Sequence, residues 1–128
     1  MIDLDLQSQR TAQSIAKECK APSEILENVA TKTLGVLQEN GVYAAVLYTL
    51  TRTEKKQKPA AEAVRKGLLA MAPHLNLDPA PSGEDGTAML RYLTEKVCND
   101  LDRMLLVKQV WEQTLIYTRF GAKAEKHS

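Results

Sequence analysis

Aromatic side chains are scarce in this chain, at 5% of its residues, and β-branched residues nowhere alternate with polar ones. Half-buried strands need that alternation, so a sheet is not expected. There are only two cysteines, Cys19 and Cys98, far apart and outside any CxxC pattern, and the two histidines, His74 and His127, have no ligand spacing. Neither a disulfide framework nor a zinc site is expected, and two reduced thiols in a cytoplasmic protein are. No Walker loop, GxGxxG or HExxH occurs. The start, MIDLDLQSQR, is acidic and polar rather than basic and then apolar, so no secretory leader is expected. No apolar run reaches the roughly 20 residues that cross a bilayer, so no membrane is expected as a partner.

What the chain does have is alanine, leucine, lysine, glutamate and glutamine, the best helix formers. With 44% hydrophobic and 26% charged residues over 128 positions, it reads as one all-α domain, residues 1–128. The expectation is a single compact bundle of about six helices around a buried central helix. That central helix is residues 42–52, opening with VYAAVLY, a run with no polar face. A helix that is apolar all round is normally buried on every side.

Punctuation divides the rest. A first helix over residues 4–20 has an inner stripe of Leu4, Thr11, Ala12, Ile15, Ala16 and Cys19, with Arg10 and Lys17 together on its opposite face. Pro22 ends it, and Ser23 is a candidate N-cap for the second helix. Asn40-Gly41 closes that helix, and the central one follows. Residues 53–58, TEKKQK, form a basic linker, and Pro59 suits the first turn of a fourth helix. Residues 76–86, NLDPAPSGEDG, form the longest loop, where Ser82 and Asp85 have the spacing of a capping box. A fifth helix covers residues 87–98. Asn99 is a candidate cap for a sixth, which carries Met104, Val107, Trp111 and Leu115 inward and gives way to a frayed tail at residues 122–128.

No catalytic constellation emerges. Asp100 and Asp102 are two apart and point different ways on a helix, so they read as partners of a helix dipole. Trp111, Tyr117 and Phe120 have the spacing of a packed helix more than that of a stacking platform. Charge is the remaining signal. The net charge of +1 conceals +4 over residues 52–66, −4 over residues 76–102 and +2 over residues 117–128. A clustered cationic set neutralises phosphates without reading sequence. The candidate nucleic-acid contacts are Arg10, Lys17, Arg52, Lys55, Lys56, Lys58, Arg65, Lys66, Arg119 and Lys123. The competing reading is a solvated face, since Lys58–Glu62 and Glu62–Lys66 are i,i+4 pairs that need no ligand. Opposite patches also allow copies to join head to tail.

Three segments bring a known family into view. They are Gln9-Arg10 in the first helix, Gly41 followed by the apolar helix VYAAVLYTL, and Tyr117-Thr118-Arg119-Phe120-Gly121-Ala122 near the end. In their order and spacing the chain resembles the small subunit of the CRISPR type III-B Cmr effector complex, the fifth Cmr protein family. Tyr117 stands where that family usually has tryptophan, and Gly121 where alanine follows the phenylalanine. The resemblance implies an all-helical, non-catalytic subunit without cofactor. Its partners would be other Cmr subunits, further copies of itself in a short filament, and the crRNA and target RNA. Arg10 and Arg119 alone occupy family motif positions; the other cations rest on charge. The alternative is a helical protein–protein adaptor that binds no nucleic acid.

Overall fold

The computed structural model describes residues 3–126, and among these every regular element is helical. Helix α1 spans Leu4–Glu18, α2 Ser23–Asn40, α3 Val42–Thr51, α4 Lys58–Leu69, α5 Gly86–Lys96 and α6 Leu101–Lys126, with a 3-10 turn at Ala72–Leu75. The all-α bundle of six helices is therefore as expected. No helix among the described residues is long and apolar enough to cross a membrane.

The ends are set by local chemistry, at positions that partly correct the expectations. Asp3 caps α1 by accepting the Leu6 N–H at 3.0 Å. Ser23 is inside α2 rather than capping it. Pro22 holds the cap position, and its carbonyl accepts the N–H groups of Ile25 and Leu26. Gly41, at φ +94°, both closes α2 and opens α3. Its N–H donates to Leu37 O at 2.9 Å while its own carbonyl accepts the Ala45 N–H at 3.1 Å. A side chain at that φ would be strained. Lys58 starts α4 instead of belonging to the linker, its N–H donating to Glu54 O at 2.8 Å. Asp85, without Ser82, caps α5 through the Ala88 N–H. Asp100, not Asn99, caps α6 through the Arg103 N–H at 2.9 Å.

Helix α6 runs antiparallel to α2. Lys126 meets Glu24 at one end, and Lys108 Nζ donates to Gln38 O at the other. It runs parallel to α1, whose Ser8 hydroxyl donates to Val110 O at 3.5 Å. Helix α4 lies against α1 in the opposite sense, with Gly67 against Ile15 and Thr11. Helix α3 packs on α2 and α4, and α5 on α3. The most extensive helix pair is α2 with α6. Between the helices lie Leu26, Val29, Leu37, Val46, Val64, Leu68, Leu93, Trp111 and Leu115, all buried. Thr33, Thr114 and Thr118 are buried without penalty because each hydroxyl donates to the carbonyl four residues earlier.

Two expectations are overturned. The apolar helix is not wrapped: α3 buries Val42, Ala45, Val46 and Thr49, but Tyr43 is 41% and Leu47 43% exposed. Helix α3 touches α2, α4, α5 and α6, yet these leave the face that carries Tyr43 and Leu47 open. The tail does not fray at residue 122 either. Helix α6 continues to Lys126, with Ala122 buried beside α1 and α2, and only residues 127–128 of the expected tail lie outside the described part.

Candidate nucleic-acid interface

The bundle brings four helix ends to one place. The last turn of α1 leads into the first of α2, Lys126 of α6 reaches Glu24 of α2, and Lys20 shares a cleft with Pro59 at the start of α4. The sequence supplies lysine at three of these ends: Lys17 and Lys20 on α1 and beyond it, Lys58 on α4, Lys123 and Lys126 on α6. Residues 53–57, leading into α4, add Lys55 and Lys56. Cations in the last turns of α1 and α6 also complement the helix dipoles.

Carboxylates at the same end thin this charge without cancelling it. Lys58 meets Glu62, and Lys126 meets Glu24, each at 4.0 Å, with both lysines and Glu24 exposed and Glu62 half-buried. Exposed pairs of that kind contribute between zero and about 1 kcal/mol, so a phosphate competes with them readily. Lys17, Lys55, Lys56 and Lys123 are exposed and form no ion pair among the described residues. With Glu18, Glu54 and Glu125 also at this end, the lysines still outnumber the carboxylates, and the excess attracts a polyanion.

The ten candidates do not share one face. Arg10 is exposed on the outer side of α1, aligned with Lys17 but two turns from the basic end. Lys66 is exposed on α4, beside the α1–α4 cleft that Ser14, Glu18, Lys20 and Glu62 also line. Arg52 is half-buried; its guanidinium lies 5.0 Å from the Tyr48 ring centroid and its Nε donates to Thr51 Oγ1. Arg119 lies 5.1 Å from the Phe120 ring centroid. Arg65 is no surface cation at all. It is 6% exposed, and its Nη1 donates to Thr49 Oγ1 on α3. Burial lowers its pKa, against the opposing pull of Glu62 and Glu84.

The acidic stretch is divided as well. Asp100 and Asp102 sit at the start of α6, at the end of the bundle remote from Lys126. Asp78 pairs with Lys96 at 3.2 Å. Glu84 is instead within electrostatic reach of Arg65, and Gly86, the first residue of α5, lies against Leu50.

Sequence reasoning missed one cation of this surface: Lys20 belongs to the basic end, and its position just beyond a helix end was the available signal. The aromatic trio is split by the fold: Trp111 is buried, the Tyr117 hydroxyl donates to Asp5 at 2.6 Å, and Phe120 is 53% exposed. Among the described residues no group of three or more His, Cys, Asp and Glu side chains is placed to hold a metal ion. Cys19 and Cys98 are both free thiols, and burial pushes the Cys98 pKa up.

With family models, with curated proteins and with solved structures alike, comparison finds no match for this chain.

Proposed function

We propose that the chain is a non-catalytic RNA-binding subunit of an RNA-guided ribonucleoprotein, of the kind the small Cmr subunit represents. Several copies would stack along the crRNA–target RNA, and other subunits would do the cutting. The observation that carries this reading is the set of exposed lysines, Lys17, Lys55, Lys56 and Lys123, which form no ion pair among the described residues and gather where four helix ends meet. Mobile lysines on a rigid bundle neutralise phosphates along a strand and tolerate any base sequence. The distant acidic start of α6 gives a copy stacked end to end a counter-charge for the basic end.

The decisive measurement is RNA affinity as a function of salt, for the protein alone and with its co-purified partners. Binding should be insensitive to sequence and should fall linearly in log Kd against log salt. No retention of RNA at low salt in either state overturns the reading.

A protein-only adaptor is the second reading. Four large apolar side chains, Tyr43 and Leu47 on α3 and Leu101 and Leu105 on α6, are exposed. An apolar surface of that kind suits a protein partner. Partners that stay bound after ribonuclease digestion, combined with no RNA binding, would favour it.

A further inference from the structure

Phe120 occupies an unusual place for a phenylalanine in a long packed helix. The inward positions of this part of α6 are Thr114, Leu115, Thr118 and Ala122, all buried. Phe120 falls two residues from both Thr118 and Ala122, so the helical period turns it toward solvent. Its ring is 53% exposed. Arg119 lies over the ring, 5.1 Å from the centroid, as a cation–π pair. Lys123 is exposed one turn further on. The flanks are open: Gly121 has no side chain, with empty space where one would be, and Ala124 at i+4 is small and exposed.

An exposed aromatic hemmed by apolar neighbours would suit a protein partner. This one has Ile116 and Tyr117 a turn before it but Arg119 over its ring and Lys123 a turn after it, which suits a polyanion that also carries flat π faces. We propose that Phe120 and Arg119 form a stacking platform for one unpaired base of single-stranded RNA, with Lys123 placed to meet an adjoining phosphate. This rests on the RNA-binding reading above and adds to it a preference for bases that are not in a duplex. Aromatic rings and guanidinium planes both stack bases without regard to sequence.

The test is fluorescence anisotropy at one fixed moderate salt concentration with two labelled strands of equal length, oligouridylate and its abasic counterpart. The wild-type protein should bind the base-bearing strand about tenfold more tightly. Phe120→Leu, which keeps apolar area but removes the π face, should abolish that difference and leave affinity for the abasic strand unchanged. Phe120→Tyr should retain it. Thermal melts should show all three proteins equally folded, since the ring faces solvent. Equal affinity of the wild type for both strands, or a difference that survives Phe120→Leu, overturns the platform and leaves phosphate binding standing. Failure of both strands to bind overturns the RNA-binding reading and the platform together.

Discussion

The Arg65 guanidinium reaches from α4 to α3, where its Nη1 donates to Thr49 Oγ1 at 3.4 Å. The Thr49 hydroxyl gives its own proton to Val46 O at 2.7 Å, so its oxygen is free to accept. Arg65 Nε has no partner in the described structure. A cation chosen from the sequence as an RNA contact is thus a buried tie between two helices.

Arg65→Ala should therefore lower stability by roughly 1–3 kcal/mol, because it leaves a void and strips Thr49 of its donor. Arg65→Met, which refills the space without a charge, should be close to neutral. Urea titration gives both values. Neither substitution should change RNA affinity of the folded protein, and a specific fall in affinity would return Arg65 to the interface.

The linker lysines should behave in the opposite way. Lys55→Ala and Lys56→Ala together should leave the stability measured in urea within about 0.5 kcal/mol of wild type, since both side chains are exposed and form no ion pair among the described residues. They should weaken RNA binding and reduce the slope of log Kd against log salt by about one unit for each phosphate no longer neutralised. An unchanged slope would remove the linker from the interface.

Gly67 marks a close approach of α1 and α4. A Cβ there would lie 2.3 Å from Ile15 Cγ1 and 2.7 Å from Ile15 Cδ1. Gly67→Ala should cost roughly 1–3 kcal/mol by overpacking, despite the better helix propensity of alanine. Adding Ile15→Ala should be less destabilising than the two separate effects predict, because the double variant relieves the clash. Strict additivity in a double-mutant cycle would show that the helices separate instead.

Tyr92 gives a pH signature. Its hydroxyl donates to Asp78 O at 2.6 Å. Burial raises its pKa first, the Asp78 carboxylate adds to the rise, and Arg103 opposes it. The folded state thus favours the neutral phenol. That stabilisation is complete below the ordinary tyrosine value of about 10 and is lost as pH rises through the folded value. Unfolding midpoints followed into the alkaline range should fall less steeply for Tyr92→Phe than for wild type, and parallel curves would refute the assignment.

The amino-acid sequence alone determined the helices and most of their ends. Proline at 22 and glycine at 41 act through φ and the missing N–H or side chain, and both effects are local. The inner stripes of α1 and α6 were largely legible, with Ala16 the exposed exception, for a related reason: the 3.6-residue period fixes angles about a helix's own axis, whatever lies outside it. What only the tertiary structure decided is which of those angles meets a neighbour. Periodicity could not say that the apolar α3 is covered on one side and bare at Tyr43 and Leu47, because coverage belongs to α2, α4 and α5. Nor could charge tell Arg65 from Lys66, adjacent in sequence, one buried against Thr49 and the other exposed beside the α1–α4 cleft. Spacing puts Phe120, nine residues from Trp111, on the opposite side of α6, but only the places that α1 and α2 take along that helix decide that Trp111 is the buried one. Burial is a property of two surfaces, and a sequence specifies each surface long before it specifies the pair.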